Sequence, residues 1–154
     1  MNDTDLRILQ LHGSGYCCAQ IIILLCLENM QRESPDLVRA AQGLCLGMGD
    51  CSGTCGILSG GICALGLYAG KGTDYEQADE QLPLLIENFR EWFHEKTAAE
   101  YGGFTCEKIL DGECGTPNPD TCGKLLGESY AQLINILLDA GFNPDEGRDE
   151  TDGY

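Results

Sequence analysis

Apolar positions recur at helical spacing through most of the chain, and nowhere do they alternate for long enough to make a half-buried strand. Asp3 to Leu11 is a short amphipathic stretch in which Leu6, Leu9 and Ile8 are expected to face inward, punctuated by Gly13 and Gly15. A stronger helix follows from Tyr16 to Gln31, apolar nearly all round (Ile21, Ile22, Ile23, Leu24, Leu25, Leu27) and so expected to be buried. Ser34-Pro35-Asp36 reads as a helix start with proline in the first turn, leading into Leu37 to Gln42. Ile57 to Tyr68 is again helical in spacing, with enough glycine for close helix–helix contact. After the turn Lys71-Gly72-Thr73, a helix capped by Thr73 or Asp74 is expected to reach Ala99, kinked or split at Pro83. Its second half carries Leu85, Ile86, Phe89, Trp92 and Phe93 on one side as core. Phe104 to Leu110 makes a short helical piece, and Asp120 is expected to cap a last amphipathic helix ending near Ala140. The pattern predicts an all-α fold: a single-domain helical bundle over residues 1–142 with a Gly/Cys-rich loop, then an acidic, flexible tail over 143–154.

One stretch departs from this pattern. Gly43 to Gly61 reads GLCLGMGDCSGTCGILSGG and holds Cys45, Cys51 and Cys55. Glycine at this density suits a backbone that takes positive φ or closely approaches another group. Cys55 stands where the helix toward Gly70 begins. The unpaired N–H groups and dipole of a helix N-terminus favour an anion, so the expectation there is a thiol of lowered pKa.

The chain has 154 residues, enough to bury a hydrophobic core without staples, so its ten cysteines are not explained by scaffold size. The N-terminus has no basic region followed by an apolar stretch, so no signal peptide is visible. The longest apolar run, Ile21 to Leu27, is far short of the roughly 20 residues of a membrane span. A cytoplasmic setting is the expectation, and there dense cysteine points to metal binding or redox chemistry more than to structural disulfides. The net charge of −16, from 25 acids against 9 bases, argues against nucleic acid and anionic membrane surfaces. It suits solubility and also steering toward a partner with a basic patch.

Spacing sorts the cysteines. Cys18 and Cys26 are eight residues apart, about 12 Å along a helix, too far to share one small metal site; the same holds for Cys55 and Cys63. Cys26 and Cys63 are therefore expected as core filler. Cys51 and Cys55 can meet across the glycine bend, while Cys106, Cys114 and Cys122 lie at a helix start, a loop and a helix start, where a thiol can project. No C-x-x-C and no ferredoxin spacing occurs, so metal and redox roles both stay open. His12 and His94 fall on polar helical faces and are expected to be solvated.

Gly15-Tyr16-Cys17-Cys18-Ala19-Gln20, then Cys55-Gly56-Ile57-Leu58-Ser59-Gly60, then Cys106 in Gly-Gly-Phe-Thr-Cys-Glu-Lys-Ile-Leu, then Cys122, together resemble the C_GCAxxG_C_C family of redox-active proteins. Ile57 replaces the alanine usual in that family's Cys-Gly-Ala-x-x-Gly core. The resemblance spans residues 13 to 138 and implies an all-helical domain with an iron–sulfur or redox-thiol role. A related domain occurs in split-Soret-type cytochromes, where four cysteines are suggested to hold an iron–sulfur cluster. No C-x-x-C-H is present here, so haem attachment does not carry over. Cys17, Cys45, Cys51 and Cys114 are a surplus over the family pattern.

Three functions follow as expectations. The first is an iron–sulfur electron carrier with Cys18, Cys55, Cys106 and Cys122 as ligands, Cys51 and Cys114 as second candidates, and an acidic face docking a redox partner protein that bears a basic one. The second is a thiol–disulfide enzyme in which Cys55 attacks and Cys51 or Cys106 resolves. The third is a structural zinc site. The apolar helices would also suit a homodimer face.

Overall fold

A computed structural model describes residues 2–112, 114 and 118–148. Among these the chain is all-α: α1 (Asp3–Gly13), α2 (Cys18–Asn29), α3 (Pro35–Ala41), a one-turn α4 (Cys45–Met48), α5 (Gly56–Ala69), α6 (Leu82–Tyr101), a one-turn α7 (Cys106–Ile109) and α8 (Pro119–Asp139). No strand is present among them; a lone antiparallel bridge joins Thr54 to Thr105.

The centre of the bundle is the crossing of α2 on α5. Ile21, Ile22 and Ile23 of α2 and Ile57 and Leu65 of α5 are fully buried, as expected for helices apolar on most faces. The crossing is close because α5 has no side chain where it meets α2. A Cβ on Gly60 would stand 2.7 Å from the Cα and the carbonyl oxygen of Ala19, and one on Gly56 would press Ala19 at 3.3 Å. On the other flank of α5, a Cβ on Gly61 would meet the ring of Phe89 at 2.5 Å. The edge of the Phe89 ring thus fills the space glycine leaves, and its burial stabilises by about 1.5–3 kcal/mol. Leu125, Leu126, Leu133 and Leu137 of α8 complete the core.

Several local expectations are corrected. The helix foreseen from Thr73 begins only at Leu82, with Pro83 in its first turn. Proline lacks the N–H that an interior position needs, whereas the first turn leaves that N–H unused. Residues 70–81 form turns around the buried Glu76, whose carboxylate accepts the N–H groups of Gly72 and of Thr73 (3.1 Å). In α1 the inward residues are Ile8 and Leu11, while Leu6 and Leu9 are 49% and 44% exposed. Asn118, not Asp120, caps α8: its side chain accepts from the N–H groups of Asp120 (3.0 Å) and Thr121 (3.3 Å), and Pro119 takes the first helical position. Of the expected acidic tail, residues 143–148 are fastened to the bundle. Tyr68 donates its hydroxyl to the Pro144 carbonyl (2.8 Å), the Arg148 N–H donates to Leu67 (3.1 Å), and its guanidinium donates to Gly70 (3.0 Å). Residues 149–154 lie outside the described residues.

Candidate functional site

The site is assembled at one end of the bundle, where α2, α5, α7 and α8 all begin. Each beginning carries a cysteine: Cys18 opens α2, Cys55 is the N-cap of α5, Cys106 opens α7, and Cys122 lies in the first turn of α8. All four line one pocket of about 370 Å³, together with Cys17, Cys45 and His12.

Three devices bring them there. The first is the glycine crossing: because Gly56 and Gly60 seat on Ala19, the start of α5 lies against the start of α2, and Cys55 comes to the side of Cys18. The second is the glycine loop, in which Leu46 and Gly47 take φ of +54° and +56° inside α4 and Gly49 a φ of +101°. Gly47 and Gly53 pass so closely that a Cβ on Gly47 would be 2.8 Å from the Gly53 carbonyl oxygen and 2.9 Å from the Cys106 Cβ. This close approach lets residues 51–55 lie along 104–107. The Cys55 N–H donates to Phe104 (3.0 Å), the Cys106 N–H to Gly53 (3.1 Å) and the Glu107 N–H to Cys51 (2.9 Å). These backbone bonds hold Cys106 beside Cys55, and Cys51, Leu110 and Cys122 pack around it. The third is Gln20, buried in α2, whose side-chain amide donates to the Val38 carbonyl (3.0 Å) while its oxygen accepts the Cys17 N–H (3.1 Å). Ala19 and Gln20, which follow Cys18, thus serve packing and anchorage respectively.

Electrostatics separate the four thiols. Cys18 donates its S–H to Cys122, and this bond, with burial, holds the Cys18 thiol well above its usual value. The same bond lowers the Cys122 thiol, against the opposing effect of burial. Cys122 is the more acidic partner. Burial pushes Cys55 up to about 12, and the N–H groups of Ile57 and Leu58 offset only part of that. The lowered pKa expected for Cys55 is therefore overturned: its helix N-terminus is present, but the thiol is 5% exposed and desolvation wins. Cys106 is raised as well, by burial and by the charge on Cys122. Such a pocket cannot hold four thiolates unaided; a bound cation would have to supply the compensating charge.

The other two expected candidates are placed differently. Cys51 is buried and its sulfur is at disulfide distance from that of the exposed Cys114, with Cα atoms 5.8 Å apart. This bond ties the glycine loop to the connection leading into α8. Cys17 and Cys45 make a second pair, with Cα atoms 6.0 Å apart. The surplus cysteines thus pair with each other and leave the four of the family pattern, with Cys26 and Cys63, as thiols. Cys26 is core, as expected, but Cys63 is exposed. His12 lines the pocket and His94 stacks on Phe104 at 4.2 Å, so neither is simply solvated. Among the described residues no three of His, Cys, Asp and Glu stand at metal-ligand spacing. Sequence reasoning missed the Cys17–Cys45 pair, Gln20 and the Gly47–Gly53 contact. The one signal for the pair was that the surplus over the family pattern is an even number.

The fold and site define a class: an all-helical, cysteine-rich protein whose thiols converge where four helices begin. The chain belongs to the C_GCAxxG_C_C family, described as "Putative redox-active protein (C_GCAxxG_C_C)", whose model matches residues 16–136. Neither a curated protein nor a solved structure matches it. Among the described residues no helix is long and apolar enough to cross a membrane.

Proposed function

We propose that the protein is an electron carrier in which Cys18, Cys55, Cys106 and Cys122 hold an iron–sulfur cluster. The observation that supports this best is the convergence of these four free thiols, from four separate segments, on one pocket. The donor set fits by type, since soft thiolates select iron–sulfur or zinc over hard cations. When bound, the cluster would supply one-electron chemistry at a buried position. The chain's own residues do the rest. Gly56 and Gly60 hold the α2 and α5 thiols together, the Gly53–Cys106 bond orients the α7 thiol, and the N–H groups of Ile57 and Leu58 favour negative charge on the Cys55 sulfur. Apolar Ile109 and Leu110 line the same pocket and lower the polarity around the sulfurs. The acidic surface, with net charge −16, fits docking of a redox partner that presents a basic face.

An anaerobic absorption spectrum with iron, zinc and acid-labile sulfide assayed on one sample tests the reading. Broad visible bands that bleach with dithionite, with iron and sulfide in near-equal amounts, are expected. A colourless protein with stoichiometric zinc would make the site structural. A metal-free protein that also resists anaerobic reconstitution with iron and sulfide would overturn the reading.

A further inference from the structure

We propose that Cys17 and Cys45 form a second redox centre, a dithiol–disulfide pair that exchanges two electrons with disulfide substrates at the wall of the cysteine pocket. This goes beyond the cluster and stands without it. The two sulfurs are at disulfide distance, and both residues are half-buried and line the 370 Å³ pocket. An incoming sulfur compound therefore has room beside them.

The alternatives for thiol exchange are weaker on the same observations. Cys55, the attacking thiol that the sequence suggests, is buried and has no sulfur bonded to it, and Cys106 and Cys122 are also free. Cys51 has its Cys114 partner but is 1% exposed, and Glu107 bonds to its carbonyl; that pair braces the loop. Cys17–Cys45 combines a bonded partner, partial exposure and an adjoining cavity.

The roles within the pair follow from where each cysteine stands. Cys17 is the N-cap of the 12-residue α2, and Cys45 lies in the turn where the glycine loop starts. In the reducing direction, a thiolate of an external dithiol attacks the Cys45 sulfur, the Cys17–Cys45 bond breaks, and Cys17 leaves as a thiolate beside the helix N-terminus and takes up a proton. The donor's second thiol, losing its proton, displaces Cys45, so the donor departs as a disulfide and two protein thiols remain. In the other direction the Cys17 thiolate attacks a substrate disulfide and expels one substrate thiol. Cys45 then gives up its proton and displaces the second, and the Cys17–Cys45 bond is restored. Each half-cycle moves two electrons and two protons between a dithiol and a disulfide.

Peptide mapping of the full-length protein after equilibration in dithiothreitol redox buffers and thiol trapping tests this. Cys17 and Cys45 are expected to become alkylated together, in one two-electron step, before Cys51 and Cys114. Turnover is then measured with hydroxyethyl disulfide as substrate and dithiothreitol as donor, above the uncatalysed rate, on protein stripped of metal by chelator. Cys17→Ser with Cys45→Ser should lower that rate at least tenfold, while Cys63→Ser leaves it unchanged. Cys45→Ser alone should accumulate a mixed disulfide on Cys17, a readout that needs only a folded protein, verified by circular dichroism. An unchanged rate in the double variant, or Cys17 and Cys45 alkylated in every buffer, would overturn the proposal. Iron and sulfide assays on the same variants report the cluster separately, so either idea can fail alone.

Discussion

The body of the bundle and its cysteine end use glycine for opposite purposes. In the body, Gly60 and Gly61 sit inside a regular helix and vanish against Ala19 and Phe89, so that large apolar groups close without a gap. At the cysteine end, Gly47 and Gly53 lie in irregular backbone and let two loops pass within hydrogen-bonding distance. The body derives its stability from buried apolar area. The cysteine end is held by backbone bonds and two disulfides around a pocket. Stability and chemistry are therefore expected to respond to different substitutions.

Phe89→Ala tests the body most severely. It should cost about 3–5 kcal/mol, read from the urea midpoint, because the ring fills the space beside Gly61 and nothing adjacent replaces it. If the comparison holds, the folded fraction of this variant still binds iron. Gly60→Val is next, at about 1–3 kcal/mol from overpacking. It differs in kind, since pushing α5 off Ala19 also parts Cys55 from Cys18, so the iron content of reconstituted protein should fall with it. Full iron retention would show that the crossing does not position the site.

Alkaline pH probes the body through Cys26, which burial pushes up to about 12 against about 9 when unfolded. A thiol whose folded pKa is raised contributes stability that is complete below pH 9 and lost as pH rises toward 12. The urea midpoint should decline across that window, and Cys26→Ala should remove part of the slope. Cys55, also pushed to about 12, and the other thiols and phenols raised in the fold, among them Cys18, Cys106, Tyr68 and Tyr130, retain the remainder. A slope identical in Cys26→Ala would show that these other groups, and not Cys26, carry the effect. The smallest change in stability is expected for Cys122→Ser, within about 1 kcal/mol in the metal-free protein, because serine can still accept a hydrogen bond. Its effect should appear instead as lost iron and visible absorption.

Much of the body was legible in the chain. The run Ile21 to Leu27, the apolar spacing of 57–68 and the stripe Leu125 to Leu137 each mark a helix whose burial follows from its own composition. The four cysteines of the family pattern were picked out by the resemblance, and the structure places each near a helix start. Errors arose where two local rules competed. Pro83 was read inside a helix in whose first turn it stands, and Leu6 and Leu9 were read as inward although α8 and α2, packed on α1, decide which of its faces is covered. The second-candidate ligands Cys51 and Cys114 could not be told from the other four by spacing.

By itself the sequence determined most of the helical segments, because capping, proline position and apolar period act within a few residues of chain. Tertiary structure decided which sulfurs meet. Whether Cys55 is an acidic surface thiol or a buried one raised to about 12 depends on how much protein surrounds it, and its own neighbours in sequence supply only the helix N-terminus. Whether Cys17 faces Cys18's partners or Cys45 depends on a loop 28 residues away, bent by backbone that only glycine contacts at Gly47 and Gly53 permit. Burial and pairing are properties of distant residues brought together, and neither is written in local spacing.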